Sequence, residues 1–532
     1  MDLSHYNQLN LFGADMIYPE LLEPGDLCYT IKEEITPLVK DTDFEDMYKD
    51  GGRPPVSPRI LLLVTIMQFL EKLSDRAAAT NLKFRLDWKI AFNLPLDYMG
   101  IHPTTLCYFR ERLVNNEKAS LAFDKVLEHL VSVGLVKKRG KQRIDSTHII
   151  ANVRELSRLE LLTETLRLFC VDIKKHKISL EDDVLLNYFE LYIEKFSIKG
   201  LSNAVRDELI QQAGNAMQAF VEWTKNSCHS KKITGLKSFE VLEKVLSQNF
   251  EQKQEENKKI ELIKVATGKD HICSPHEVGA EYANKGGAGW LGYKAQVVET
   301  VNGEEEVNFI THIEATAATD HDGNKVLPIV DELERKEVAP AELYGDTHYN
   351  TEDNIKELKS DDIESNIELK GPVVQKPAKK TQEKNKGFTH NREDNTVICP
   401  IGVISKKCTK RKNDNRISAS FPQEKCNACN RRDKCRPEVR GKCIEFWPES
   451  KILAERRALM ETDDFKEDMH KRNGIEGTIS GLVRGQGMRR IRYRGQPKAN
   501  LQIKFCGVAA NISRLHRYRE IERSGIKTYE AA

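Results

Sequence analysis

The stretch Lys141-Gln142-Arg143-Ile144-Asp145-Ser146-Thr147-His148-Ile149-Ile150 constrains this chain more than any other. Its apolar members Ile144, Ile149 and Ile150 predict a buried strand, and a carboxylate stands in the middle of it. Taking a carboxylate out of water is costly unless a hydrogen bond, a cation or a metal ion compensates it. An Asp near a strand end also serves as a turn cap, so Asp145 alone supports either reading. Two further acidic residues shift the balance. Asp346 ends the short strand pattern Leu343-Tyr344-Gly345, and Glu476 lies on a helical pattern near the C-terminus.

The chain has 532 residues, enough for three or four domains, and 39% hydrophobic residues give it a sizeable core. No apolar run approaches the ~20 residues a membrane span needs. The longest, Ile60 to Leu70, is interrupted by Thr65 and Gln68. The first twenty residues lack a basic segment followed by an apolar one, so no signal peptide is expected. The expected location is therefore the cytoplasm, with no membrane partner. The net charge of +2 conceals an asymmetry, because Lys and Arg crowd the region after Glu476. Such a local excess points to a surface for a polyanion.

Taken in order, residues 1–135 read as an all-α, DNA-binding domain. Gly51 to Pro58 is a breaker, within which Ser57 is a predicted N-cap and Pro58 the first position of a helix through Lys72. Short helices over Ala77 to Phe84, Trp88 to Phe92 and from Pro103 onward have the spacing of a helix-turn-helix unit; a generic helical bundle gives the same pattern. Residues 153–265 read as a helical insertion, with patterns over Glu160 to Lys175, Leu180 to Phe196, Ser202 to Thr224 and Phe239 to Ile263. Strand character returns at Gly292 to Thr300, and the Asn302-Gly303 turn leads to a partner over Val307 to Ile313. A helix over Gly323 to Glu334, the Asp346 strand, a helix over Glu352 to Leu358 and a strand near Ile363 to Leu369 or Val373-Val374 follow. The basic run Lys376 to Lys386 reads as a solvated loop. With insertions removed the order is βββαβαβα. That is a mixed α/β, RNase H-like core, assembled from residues 136–152 and 266–388 and preceded by the all-α domain.

Six of the twelve cysteines (Cys399, Cys408, Cys426, Cys429, Cys435 and Cys443) fall within residues 389–450. In a reducing compartment such clustering suggests metal before disulfides. Cys426-Asn427-Ala428-Cys429 presents two thiolates to one tetrahedral zinc ion, and Cys399 and Cys435 are the candidates for the other two ligands. Cys408 and Cys443 are substitutes, and free cysteines in a surface insertion are the competing reading.

Residues 451–532 read as the C-terminal helical part of the core. Ile475, Ile479, Leu482 and Val483 share one helical face, with Glu476 beside it. Arg472, one turn earlier, is placed to reach Glu476 or a phosphate. Arg484, Arg489, Arg490, Arg492, Arg494 and Lys498 then form a basic tract around Tyr493, suited to phosphates. A final packed helix is expected over Leu501 to Leu515, with Asn511 and Arg514 near its end.

Ile144-Asp145-Ser146-Thr147, Tyr344-Gly345-Asp346-Thr347-His348-Tyr349 and Gly474-Ile475-Glu476-Gly477-Thr478-Ile479-Ser480 together resemble the three acidic motifs of bacterial insertion-sequence DDE transposases. Gly292-Tyr293-Lys294 resembles that family's second-strand motif, and Gly487 to Gly495, Lys498 and Asn511 its C-terminal signature. Arg53-Pro54 through Arg110-Glu111-Arg112-Leu113 resembles the helical domain before the catalytic core, and the Cys399 and Cys426-x-x-Cys429 region a cysteine-bearing insertion of one branch. The resemblance implies DNA cleavage at element ends and strand transfer into target DNA. It implies that Asp145, Asp346 and Glu476 hold two Mg(II) or Mn(II) ions. It implies double-stranded terminal repeats and target DNA as partners, and a homodimer on DNA. Arg472, Arg484 and Arg489 become candidates to position phosphates, and His148 and His348, close after the two Asp residues, become neighbours of the site or DNA contacts, with simple packing or surface histidines as the competing reading. In this family a Lys or Arg often follows the Glu by two helical turns; Val483 and Arg484 compete for that place. A nuclease without strand transfer and a non-catalytic DNA-binding derivative use the same fold and remain as alternatives.

Overall fold

The computed structural model describes residues 18–525 except 19, 49–55, 181, 196–199, 253–259, 263–270, 304–305, 368–386, 392–393, 407, 411–416, 436–441 and 447–450. Gly51 to Pro55 of the breaker, the first seventeen residues, Val373-Val374 and the Lys376 to Lys386 run lie outside the described residues. The chain divides into two compact units, residues 1–343 with 471–532, and residues 344–470.

The first unit opens with a helical run over residues 27–38, followed by α1 (Pro58–Leu70), α2 (Asp75–Phe84), α3 (Leu86–Ala91), α4 (Pro103–Asn115) and α5 (Leu121–Ser132). Ser57 caps α1 by accepting from Ile60 N at 3.3 Å, and Ser74 caps α2 through Ala77 N. α1 is apolar on nearly every side and is buried on nearly every side. Arg110 on α4 is buried too, and Asp75 on α2 compensates its charge at 2.6 Å. α5 was not among the helices read from the sequence.

β1 (Lys141–Ile150) leads into the helical block α6 (Arg158–Lys175), α7 (Asp183–Tyr192), α8 (Asn203–Asn226) and α9 (Lys237–Asn249). These helices enclose an apolar cluster of their own that includes Phe169, Met217, Phe220 and Leu242. The last helix stops at Asn249, well short of Ile263. There Phe250 turns extended to bury its ring in that cluster, and β2 (Phe250–Gln252) pairs with β3 (Ile260–Leu262).

β4 (Glu281–Lys285), β5 (Ala288–Thr300) and β6 (Ile310–Ala317) follow. β5 is antiparallel to β1, β4 and β6, and its register with β6 shifts at Val298/Glu299. The polar, half-exposed β4 gave no apolar signal, and it joins β5 through Gly286-Gly287. Gly292 lets the two long strands meet, since a Cβ there would stand 2.1 Å from Ile149 O. α10 (Val326–Arg335) then returns the chain to β7 (Glu342–Gly345), which starts beside β1 with Ala341 N bonded to Gly140 O at 2.9 Å.

In the second unit β7 continues and pairs with β8 (Glu364–Ile367), after α11 (Glu352–Ser360). The Cys-rich part follows with β9 (Thr389–Asn391) on β10 (Thr396–Ile398), and β11 (Thr409–Lys410), β12 (Ile417–Ser420) and β13 (Cys443–Phe446) in a small antiparallel sheet. Phe388, Val397, Phe421 and Ile444 form its core. α12 (Lys451–Met460) and α13 (Asp463–Met469) close this unit.

The chain re-enters the first unit through α14 (Gly474–Ser480), a π turn over Gly481–Gly485, and α15 (Gln496–Ser524). α15 is longer than the sequence pattern suggested. Pro497 starts it in the first turn, and residues from Ala499 to Leu515 are mostly buried. Asn511 is fully buried and pairs with both backbone groups of Ile310 on β6, at 2.8 Å each. With the helical block and β4 set aside, β1, β5, β6, α10, β7, α11 and β8 run in the expected RNase H-like order, a mixed α/β core behind a helical N-terminal region. Among the described residues no helix is long and apolar enough to cross a membrane.

Candidate active site

Side chains alternate along β1, so Arg143, Asp145 and Thr147 share one face. Asp145 is mostly buried. Its Oδ1 accepts from Ser146 N at 2.7 Å, and its Oδ2 lies 3.8 Å from the guanidinium of Arg472. The sequence placed Arg472 one helical turn before Glu476. A short 3-10 turn over His470–Asn473 instead carries it to Asp145, where its cation compensates the carboxylate. Arg472 Nε is buried without a hydrogen-bond partner.

Glu476 is exposed on α14. The helix is anchored by Ile475 and by Thr478, a residue the apolar stripe did not include. Val483 and Ile479 are only half-buried. In an uninterrupted helix Val483 would return to the face of Glu476. The segment is instead a π turn, with Gln486 N 3.2 Å from both Gly481 O and Leu482 O, and Arg484 in it is exposed.

Between the strand of Asp145 and the helix of Glu476 lies a network the sequence reading missed. Glu299 on β5 is fully buried and faces Arg143 in the β1–β5 register. It accepts from Arg143 Nε at 2.7 Å, from Arg514 Nη1 at 3.2 Å and from Thr478 Oγ1 at 2.5 Å. A Glu inside the apolar run Gln296-Val297-Val298-Glu299 was the available signal.

Asp346, in the second unit, follows β7 directly. Its Oδ1 accepts from His348 N at 2.8 Å, and its Oδ2 lies 3.1 Å from His348 Nδ1. His348 is thus a direct neighbour of its carboxylate. His148 is instead a packing residue, tilted against Trp290 with ring centroids 5.1 Å apart. Burial, then Arg489, lowers its pKa. Among the described residues no three His, Cys, Asp or Glu side chains are gathered closely enough to hold an ion.

The basic tract splits in two. Arg489 is half-buried and bonds to His148 O and Thr147 Oγ1, while its backbone bridges to Ile150. Arg492 bonds to Leu73 O and lies over Phe69, and Lys498 lies 3.9 Å from Glu111. Tyr493 is covered by Arg110, 4.9 Å from its ring centre. Arg484, Arg490 and Arg494 are exposed, as is Arg492 despite its backbone bond.

In the second unit Cys399, Cys426, Cys429 and Cys435 line one cavity of about 30 Å³. Val403 N donates to Cys399 Sγ and Arg431 N to Cys429 Sγ, both at 3.3 Å. Burial raises the Cys435 thiol, and Lys442 opposes it. Cys408 is buried in the small core and Cys443 pairs with Ser418; neither lines the cavity.

Comparison with known proteins gives two matches. A transposase domain (DUF772) model matches residues 18–112, the helices up to α4. A transposase DDE domain model matches residues 398–516, which include the cysteine cavity and Glu476, with Asp145 and Asp346 before it. No curated protein and no solved structure matches the chain.

Proposed function

The chain is a DDE transposase with an N-terminal DUF772 transposase domain, and from that premise we propose that Asp145, Asp346 and Glu476 are its catalytic carboxylates. The enzyme cleaves DNA at the ends of its element and joins those ends to target DNA. The observation that best supports the assignment is the buried tie between the Asp145 strand and the Glu476 helix through Glu299. It joins the strand of one proposed carboxylate to the helix of another.

Enzymes of this kind use divalent metal ions. The donor set fits Mg(II) or Mn(II), since carboxylate oxygens suit hard cations and Glu476 is open to solvent. When bound, two such ions supply an activated oxygen nucleophile and neutralise charge on the leaving oxygen. In this reading Asp145, Asp346 and Glu476 hold them. Arg472 sits at 3.8 Å from Asp145, where its cation is a candidate to position a phosphate. Arg484, in the π turn after Glu476, faces the backbone of the DNA. His348 steadies the Asp346 carboxylate from its own loop.

The DUF772 region recognises the element's terminal repeats, with the exposed face of α4 at Thr104, Tyr108 and Glu111 available to a groove. Two ends must be paired for transposition, so the active species is a homodimer on DNA, working in the cytoplasm at the nucleoid. The cysteine cavity holds a structural Zn(II) ion. Its four sulfurs and two N–H···S bonds fit a tetrathiolate site, although they draw closer together on binding.

The test is strand cleavage and joining on duplexes taken from the DNA flanking the coding sequence, with Mg(II) or Mn(II). Wild type runs beside Asp145→Asn, Asp346→Asn and Glu476→Gln. Joined product lost in all three supports the assignment. Activity that survives one substitution removes that residue from the triad, and cleavage without joining would make the enzyme a nuclease.

A further inference from the structure

We propose that Glu299 is a positioning residue that sets the placement of Asp145 and Glu476 together, an inference that rests on the active-site reading above. Arg143 stands two residues before Asp145 and on the same face of β1. Thr478 stands two residues after Glu476 on α14. Both bond to the one carboxylate of Glu299. Arg143 reaches its Oε1 through Nε and Nη2, each at 2.7 Å. Thr478 Oγ1 and Arg514 Nη1 reach its Oε2 at 2.5 and 3.2 Å.

The linkage extends past the carboxylate. Arg143 Nη1 donates to Lys471 O at 2.7 Å, beside Arg472 and three residues before α14 begins. Arg514 Nη2 donates to Thr478 Oγ1 at 2.5 Å, so α15 is tied to α14 at the same point. One buried anion thus fixes the strand that carries Asp145, the helix that carries Glu476 and the turn that carries Arg472.

Four donors occupy the two oxygens of Glu299, and an ionised carboxylate has about four lone-pair sites. No site is left for a metal ion, so Glu299 acts through its neighbours. Its place on β5 coincides with the register shift at Val298/Glu299, and such bulges re-aim side chains next to active sites. Stability alone gives little reason for the arrangement, because a buried ion cluster is often matched or exceeded by apolar residues of similar volume. Fixed geometry gives a better one, since a displacement of about 1 Å can cost roughly a hundredfold in rate.

The test uses the full chain with Thr478→Val, Glu299→Gln and Thr478→Ser. Thermal melting and binding to the flanking-DNA duplex report folding. Electron paramagnetic resonance of free Mn(II) reports metal binding, and single-turnover cleavage at saturating Mn(II) reports rate. The expected result is a cooperative melt and wild-type DNA binding for Thr478→Val, with Mn(II) half-saturation raised at least about threefold and cleavage lowered at least about tenfold. Glu299→Gln moves both further in the same direction, and Thr478→Ser restores both. Unchanged Mn(II) half-saturation overturns the proposal, whether cleavage is normal or falls only in step with the folded fraction. Wild-type protein that neither binds Mn(II) nor cleaves overturns the active-site reading, and this proposal with it.

Discussion

Gly474 lies against the guanidinium of Arg143, where a Cβ on residue 474 would stand 2.1 Å from Nη1 and 2.5 Å from Cζ. A flexible arginine end would normally yield. Arg143 is 7% exposed and is held by Glu299 and by Lys471 O, so it has nowhere to go. The start of α14 must move instead. Gly474→Ala should destabilise the protein by about 1–3 kcal/mol, the usual cost of overpacking. It should also lower cleavage by about tenfold or more, through the displaced Glu476. Melting and single-turnover cleavage check the two halves, and wild-type values for both would show that α14 tolerates a side chain there.

Asn511 satisfies the backbone of β6 as a neighbouring strand would, with its amide accepting from Ile310 N and donating to Ile310 O. Asn511→Ala leaves a buried N–H and a buried C=O without partners. The expected loss is about 2–4 kcal/mol, read from the urea midpoint at unchanged slope. A loss below about 0.5 kcal/mol would mean that water reaches this edge of the sheet.

Lys504 on α15 is buried, and burial, then the cation of Lys336, brings its pKa down to about 8. Asp124, Glu314 and Glu332 oppose that shift without cancelling it. The folded pKa lies below the unfolded value of about 10.4, so the unfolded chain binds more protons between pH 8 and 10.4 and stability rises with pH across that window. Below pH 8 the penalty is fully present. Lys504→Met should therefore gain on wild type most at pH 7 and progressively less towards pH 10. Parallel melting curves at several pH values measure the difference, and a constant gap between the two proteins would contradict it.

The elements that carry the three carboxylates were legible because each sits in a short, strongly patterned segment. Ile144 and Ile149 mark β1, Leu343 and Tyr344 mark β7, and Ile475 and Leu482 mark α14 and its π turn. Glu299 was not legible. Its partners Arg143, Thr478 and Arg514 stand 156, 179 and 215 residues away, and the apolar run before it hints at burial without revealing what the carboxylate binds. The basic tract fails for a related reason. Composition predicts the density of charge, but whether an arginine faces solvent or one of its own protein's carbonyls is decided by tertiary packing. The four cysteines round one cavity were chosen from spacing, because a C-x-x-C turn is itself a local structure.

That division of the basic tract has a measurable consequence. Arg484, Arg490, Arg492 and Arg494 are exposed, but Arg492, like the half-buried Arg489, bonds to the protein's own backbone. Each phosphate contact contributes roughly 0.9 to the slope of log affinity against log salt. Replacing Arg484, Arg490 and Arg494 by Ala should lower that slope by up to about 2.7 with little change in melting temperature. Replacing Arg489 should instead lower the melting temperature, since it leaves His148 O and Thr147 at the end of β1 without their donor. A slope that follows Arg489 and ignores the other three would reverse the assignment.

The cysteine cavity makes the last prediction. Zinc binding would displace the protons of the four thiols and draw the sulfurs to about 2.3 Å from the ion. The N–H groups of Val403 and Arg431 already point at two of the sulfurs and would hold the resulting charge. Purified protein should carry one zinc per chain by elemental analysis. Cys426→Ser and Cys429→Ser should each lose it and unfold residues 389–450 first, seen as new protease cuts in that segment. Cys443→Ser should keep the metal, because Cys443 pairs with Ser418 away from the cavity. Zinc that survives Cys429→Ser but leaves with Cys443→Ser would place the ion elsewhere, and metal-free wild type would make these cysteines an ordinary packed cluster.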